Sequence, residues 1–483
     1  MEIVRNIVIF ILVVNTILAI ITVFREKRDI AATWAWLLVL NLLPVIGFIL
    51  YLFIGRKISK EQIFDIRTQE TIGMPELVEA QQQLIAEDAP VLDESIDAPK
   101  TRELASLFLE TTGSVLTKGN KVSIIADGEE KFDRLIEDIS KAQHHVHVMY
   151  YIFKMDKIGS RLLEALKERA ANGVEVAVLF DSFGSRTLRS RSFKRLRELG
   201  GYAEPSFKSK FPLLNLRLNF RNHRKIVVID GKVGYTGGFN VGDDYLGEYE
   251  NMGYWRDTHL RIEGNGVLPL QTRFIMDWNA SVKHHKLTYY NEYFPISPLK
   301  GTTDMQVVAS GPDTEIQAIK KGFLKMIYMA EESVYIQTPY FVPDEGVMEA
   351  LEIALFSGVD VKIMIPNKPD HPFIYRATLY YASELARLGA EIYIYDKGFL
   401  HSKAIVIDRK LCSIGSANFD IRSFKLNFEN NVFLYDEQLA QEQEALFFKD
   451  VEGSYLLTDE IMANFSLWER FKQTFSRLLS PIL

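Results

Sequence analysis

A long pattern occurs twice in this chain, and that repeat constrains the fold more than any other property of it. The first copy reads VHVMYYIF (146–153), then the amphipathic stretch SRLLEALKERAANG, then NGVEVAVLF (172–180). The second reads VYIQTPYF (334–341), a helical stretch of similar length, then SGVDVKIMI (357–365). A β-branched and aromatic strand, an amphipathic helix and a second apolar strand make a βαβ unit with a parallel, buried pair of strands. Each copy then reaches a related hairpin, RKIVVIDGKVGYTGG or SKAIVIDRKLCSIGS, with DG or DR at the turn. The expected architecture is α/β: two halves related by a pseudo-twofold axis, with mixed, mostly parallel sheets. A chain of 483 residues, 47% of them hydrophobic, exceeds one ordinary core and suits such a division.

The first sixty residues have a different character. Asn6 to Phe24 carries no charge and is long enough to cross a hydrocarbon core of about 30 Å as a helix. A second apolar run, Trp34 to Ile54, is broken only by Asn41, Pro44 and Gly47, and Trp34, Trp36 and Tyr51 suit its interfacial ends. REKRD follows the first run with no cleavage site before it, which favours a retained span over a signal peptide. The expectation is a transmembrane hairpin over 1–60 and an acidic linker over 61–105. The two halves then cover 106–295 and 296–483. Arg5, Arg56, Lys57 and Lys60 flank one face of the hairpin, and Arg25, Lys27 and Arg28 lie in its short connection. This balance, with a lone Cys412 and hence no intramolecular disulfide, tilts the body toward the cytoplasmic side of the cell membrane. A formal charge of -7 argues against nucleic acid as the partner.

The head of each hairpin carries the same spacing, HxKxxxxD: His223, Lys225 and Asp230, then His401, Lys403 and Asp408. On a strand, residues two apart share a face, so each histidine is expected beside its lysine. The aspartates fall near the turn, out of phase, and read as orienting or structural groups. Downstream, Gly238 and Asn240 answer Ser416 and Asn418, and Asp257 answers Glu429. Phosphodiester cleavage without a metal requires a nucleophile, a proton donor for the leaving alkoxide and cations for the non-bridging oxygens. One copy lacks the full set. Two imidazoles meeting across the pseudo-axis supply attack and proton transfer, Lys225 and Lys403 hold oxygens, and Asn240 and Asn418 add donors. Asp257 and Glu429 fix the histidine tautomers. This chemistry needs no metal and no cofactor.

At these motifs the chain resembles the phospholipase D superfamily, and within it the bacterial cardiolipin synthases. The longer strings NHRKIVVIDGKVGYTGGFNVGDDY, TPYFVPDE, GSANFDIRSFKLNFENN and LLSPIL, with the paired apolar runs, carry the finer resemblance. It implies two phospholipase D-like halves and phosphatidylglycerol as both donor and acceptor, giving cardiolipin and glycerol. It also implies His223 as nucleophile and His401 as general acid, then base. Hydrolysis on the same scaffold, transfer to another alcohol such as serine or ethanolamine, and a non-catalytic membrane scaffold are the competing readings.

Three further stretches stand apart. HHVH (144–147) puts His145 and His147 on one strand face without evident partner ligands for zinc. RTLRSRSFKRLREL (186–199) is either a headgroup-attracting patch or a solvated helix face. The last helix, NFSLWERFKQTFSRLL, places Trp468, Phe471, Phe475 and Leu478 at helical spacing. The expectation is that this stripe packs on the body, with the interface plane of a membrane as the alternative.

Overall fold

The computed structural model describes residues 2–24, 30–43, 46–47, 51, 74–86, 98–206, 220–247, 252–368 and 370–480. In the first half the strands are β1 (Leu116–Ile125), β2 (His145–Tyr150), β3 (Glu175–Asp181), β4 (Tyr202–Ser206), β5 (Arg221–Asn222), β6 (Ile226–Ile229), β7 (Val233–Gly237), β8 (Tyr254–Arg256) and β9 (His259–Glu263). The second half begins with β10 (Thr303–Ser310), β11 (Ser333–Gln337), β12 (Phe341–Val342), β13 (Asp360–Pro366), β14 (Glu391–Tyr395) and β15 (Gly398–Leu400). It ends with β16 (Ala404–Ile407), β17 (Leu411–Gly415), β18 (Phe419–Asp420), β19 (Asn427–Tyr435) and β20 (Ser454–Leu456). One continuous sheet runs β4-β3-β2-β6-β7-β9-β1 and then β10-β19-β17-β16-β11-β13-β14-β20. The order on one side of the β1·β10 seam mirrors the order on the other. The repeat in the sequence is therefore a pseudo-twofold in the sheet.

The βαβ units form for local reasons that recur in both copies. The Lys157–Ala171 helix starts where Asp156 accepts the Gly159 N–H, and it buries Ile158, Leu162, Leu163 and Leu166. It ends at Gly173, whose φ of 82° needs no side chain. Its counterpart, Glu345–Phe356, has Asp344 as N-cap and is followed by Gly358 at φ 86°. The hairpins close alike. Lys232 N–H donates to Ile229 O at 2.9 Å and Lys410 N–H to Ile407 O at 3.0 Å, around left-handed Asp230 and Gly231, or Asp408 and Arg409.

"Mostly parallel" is corrected. Along that strand order, parallel pairing is confined to β2·β3·β4 and β11·β13·β14, and every other neighbour is antiparallel. The reason is the hairpin. β6·β7 and β16·β17 are joined by tight turns, which only antiparallel strands allow, and the next long strand, β9 or β19, continues the antiparallel run.

The Ala98–Thr112 helix straddles the expected linker boundary at 105 and packs on the second half. Leu104, Ala105 and Phe108 join its core, with Phe108 and Phe433 ring centroids 4.3 Å apart. Another helix, Met74–Ala86, lies within the expected linker. At the amino terminus the Glu2–Phe24 and Ile30–Leu42 helices pair, with Asn15 Nδ2 donating to Leu40 O at 2.6 Å and Thr16 Oγ1 to Asn41 Oδ1 at 3.0 Å. Judged on the described residues alone, no helix is long and apolar enough to cross a membrane. Only part of the second apolar run is described.

Candidate active site

Two very short strands set the site. β5 pairs parallel with β19, matching Arg221 to Asn427 and Asn222 to Phe428. β15 pairs parallel with β8, matching Leu400 to Arg256. Each of these strands ends immediately before a motif histidine, and each partner belongs to the opposite half. One residue further on, His223 N–H donates to Phe428 O at 3.0 Å and His401 N–H to Arg256 O at 2.7 Å. This register sets His223 beside Glu429 and His401 beside Asp257. His223 Nδ1 lies 3.0 Å from both Glu429 carboxylate oxygens, and His401 Nδ1 lies 2.5 Å from Asp257 Oδ2. The histidine of each half is oriented by the acid of the other. With Nδ1–H donating to a carboxylate, the Nε2 lone pair of each neutral imidazole is left for chemistry.

The carboxylates are themselves held. Glu429 accepts the Ser416 hydroxyl at 2.5 Å and Asn427 Nδ2 at 3.2 Å. Asp257 accepts the Thr258 N–H at 2.8 Å. Gly238 occupies the position equivalent to Ser416, and a Cβ there would stand 1.9 Å from Asp257 Oδ1. Gly238→Ala is therefore expected to displace Asp257 from His401 and lower kcat by about 10²-fold, the scale of a misplaced catalytic group. Steady-state kinetics alongside an unchanged melting temperature check this.

The motif lysines fold back on their own histidines: Lys225 Nζ donates to His223 O at 2.6 Å, and Lys403 Nζ donates to His401 O. Neither HxK segment is regular strand, since the hairpins begin only at Ile226 and Ala404. The expected shared strand face is thus replaced by an extended connection. Burial pulls Lys225 down to about 7 and Lys403 down to about 8, partly offset by Glu429 and Asp257, with which both lysines interact. Burial and the Lys403 charge hold His401 at about 3 despite Asp257. His223 is lowered by burial too, against the pull of Glu429. Burial alone would raise Glu429 and Asp257, but the histidines and lysines beside them outweigh it and keep both below the usual carboxylate range. Each histidine also feels the lysine of the other half, so the four groups share one electrostatic site.

Asp230 and Asp408 stand elsewhere. Asp230 accepts the N–H groups of Gln143, His144 and His145 at 2.8–2.9 Å. Asp408 does the same for Glu331, Glu332 and Ser333. Both clamp the hairpin turn to the start of a neighbouring strand, so the structure places neither against a histidine. Asn240 accepts the Ile152 N–H and donates to Tyr245 OH at 2.9 Å, and Asn418 donates to Asp420 at 3.0 Å. An amide nitrogen carries two hydrogens, so each asparagine keeps one further N–H.

Sequence reasoning missed the aromatic walls and the buried ion pairs. The Tyr151 ring lies 4.9 Å from that of His223, and Trp255 lies 5.2 Å from His401. Arg224, next to His223, pairs with Asp277 at 2.6 Å and donates to Glu429 O. Arg256, next to Asp257, pairs with Asp450 at 2.8 Å. The adjacency of both arginines to motif residues was the available signal. His145 and His147 meet Gln271, His147 also meets Glu175, and they lie beneath the Val267–Ser281 helix. In the basic stretch, Lys194 and Arg195 pair with Glu198 and Arg197 donates to Ser190 O and Ala203 O, while Arg189 and Arg191 are exposed.

A duplicated α/β fold whose halves exchange acids to orient one histidine each, with each histidine also within electrostatic reach of the other half's lysine, defines a phospholipase D-like phosphodiester centre. The family described as "Cardiolipin synthase, PLD-like domain" matches residues 135–263 and 323–451, and "Phospholipase D-nuclease N-terminal" matches 14–56. A cardiolipin synthase of Listeria monocytogenes serotype 4b is 51% identical over 484 residues, covering 100% of both chains. The major cardiolipin synthase ClsA of Bacillus subtilis (strain 168) is 49% identical over 474 residues, covering 98% of each. Among solved structures, phosphatidylserine synthase of Haemophilus influenzae Rd KW20 shares the fold at 15% identity and a TM-score of 0.57, over 75% of this chain and 95% of that one. The chain belongs to the cardiolipin synthase family of the phospholipase D superfamily.

Proposed function

We propose that this protein is a cardiolipin synthase that moves a phosphatidyl group from one phosphatidylglycerol to another. The crossed pairing of two histidines with two fully buried carboxylates carries this reading. His223 Nε2 attacks the phosphorus of the first lipid while His401, protonated, gives its proton to the departing glycerol oxygen. A phosphatidyl–histidine bond forms as the phosphorus–oxygen bond to glycerol breaks. The glycerol hydroxyl of a second phosphatidylglycerol then gives its proton to neutral His401 and attacks phosphorus, releasing His223. The bound diester's negative charge lifts both imidazoles and both lysines back toward their ordinary ranges. In the free protein, burial and the Lys403 charge hold His401 at about 3 and keep it neutral, so the bound diester's charge is what lets it carry the proton it donates. Lys225 and Lys403 neutralise the non-bridging oxygens, with Asn240 and Asn418 as further donors.

The same reading makes the enzyme a membrane protein. The uncharged run Asn6 to Phe24 and the second apolar run, part of which lies outside the described residues, support this reading, and the exposed side chains of the Glu2–Phe24 helix include Phe10, Val13, Ile17 and Ile20. That helix pairs with a second apolar helix through the polar groups of Asn15 and Thr16, as buried spans do. Two spans leave the body on the side of the amino terminus, assigned to the cytoplasm by the charges around the hairpin.

Incubating the purified full-length protein with phosphatidylglycerol tests the reaction. Cardiolipin and glycerol in equal amounts are expected, and phosphatidic acid without cardiolipin would overturn transfer in favour of hydrolysis. Head-group competition with serine or ethanolamine tests the acceptor. A pH dependence also follows. Lys225 and Lys403 bind phosphate only when charged, and in the free enzyme they lose their protons near 7 and 8. Hence kcat/KM is expected to fall as pH rises through that window, chiefly through KM, with kcat falling at higher pH because the bound anion retains the protons. Parallel pH profiles of kcat and kcat/KM check it.

A further inference from the structure

A surface helix normally turns its apolar stripe toward the body and its charges toward water. The Leu467–Leu478 helix instead turns its apolar stripe to the outside and docks a neutral polar face, which corrects the expectation that its stripe packs inward. It docks on the Pro372–Arg387 helix through buried Gln473 and Ser476, with Arg477 donating to Tyr380 OH at 3.2 Å and Tyr381 bonding Ser480 just beyond its end. Leu467, Trp468, Phe471, Phe475 and Leu478 are left 88%, 62%, 57%, 46% and 70% exposed. At about 100° per residue these five share an arc of about 100°, nearly opposite the docked face. The face is preformed: a Ser466–Glu469 capping box fixes the helix start, and the Trp468 and Phe471 rings stack 5.3 Å apart.

We propose that this helix lies in the headgroup–acyl boundary of an anionic bilayer as a third attachment beside the two amino-terminal spans. The inference rests on the membrane-bound transferase reading and says how its body sits on the surface. Aromatic rings with leucines on one face and basic residues at its rim are the composition of an interfacial helix. Charge points to the same occupant: Arg470, Lys472 and Arg477 stand against Glu469 alone, in a chain whose net charge is -7. The docking also reaches the chemistry. The Pro372–Arg387 helix starts beside Asp370, which accepts the Tyr340 hydroxyl and acts electrostatically on Lys403. A body resting on Trp468 and Phe471 therefore has its orientation at the bilayer set by the same helix that borders the site.

The test uses the full chain in vesicles of phosphatidylcholine and phosphatidylglycerol, with an environment-sensitive fluorophore on Phe471→Cys; Cys412 is buried and can remain. Lipids spin-labelled high in the acyl chain are expected to quench the probe about twofold, while aqueous iodide does not reach it. A parallel probe at Phe10→Cys reports the first span. If lipid quenches the Phe10 probe while iodide alone quenches the Phe471 probe, the helix proposal fails and anchoring stands. If lipid quenches neither, both fail. A disulfide-linked dimer of Phe471→Cys chains would assign the face to a second copy and overturn the proposal. As a functional arm, Trp468→Ser with Phe471→Ser is expected to slow transfer on vesicles about tenfold and leave it unchanged in mixed micelles. Equal rates on vesicles would also overturn it.

Discussion

His223→Ala is expected to abolish cardiolipin formation, by at least about 10⁴-fold in kcat, and to leave no phosphatidyl adduct on the protein. His401→Ala is expected to lose as much turnover with phosphatidylglycerol, but for a different reason. His223 keeps its attacking nitrogen and its Glu429 partner, while the leaving glycerol has no proton donor. A substrate whose leaving group needs no proton, such as a nitrophenyl phosphatidyl ester, should therefore still load His223 in the His401→Ala protein. The adduct should persist there, because no base remains to activate the acceptor. Mass spectrometry of the quenched proteins separates the two roles. An adduct on His401 in the His223→Ala protein would reverse the assignment, and full turnover by either variant would refute the paired mechanism.

The second large effect concerns the exchanged acids. Glu429→Gln is expected to reduce turnover by on the order of 10³-fold, although the side chain keeps its size. The new amide can still accept the Ser416 hydroxyl through its oxygen, which leaves its NH₂ facing His223 Nδ1. An imidazole that accepts at Nδ1 carries its hydrogen on Nε2, where the attacking lone pair is needed. The loss should appear in the first chemical step, read as slower adduct formation from the activated ester. Asp257→Asn should instead leave adduct formation from that ester nearly intact and slow its transfer to phosphatidylglycerol, because Asp257 orients His401. Were each acid to serve the histidine of its own half, these two phenotypes would exchange. Single-turnover kinetics on both variants decides the matter.

Much of this site can be read from the amino acids, because the repeat supplies its own internal comparison. Both histidines, both lysines and both acids stand out once the copies are set side by side, and the DG and DR turns mark the hairpins. Two features lay beyond that reading. Periodicity says which face a residue takes but not which strand lies beside it, so the exchange created by two- and three-residue strands such as β5 and β15 left no trace. The terminal helix misled for a related reason. Its stripe was visible, but a stripe does not say whether it meets protein or lipid, and only the burial of Gln473 and Ser476 showed which side was docked. The aspartates of HxKxxxxD are the converse case. Their poor phase with the histidines pointed to a structural task, and three backbone N–H groups on each carboxylate supply one.

The exchange across the seam has one more consequence. Neither copy of the repeat is self-sufficient, so separating the chain between Glu263 and Thr303 would yield two inert pieces whose activity returns only on reassembly. A single copy would need a twin to complete it, and the two resulting centres would be chemically identical. Covalent fusion removes that identity. Once glutamate with serine can stand on one side and aspartate with glycine on the other, the imidazole that attacks and the imidazole that shuttles the proton can be tuned apart.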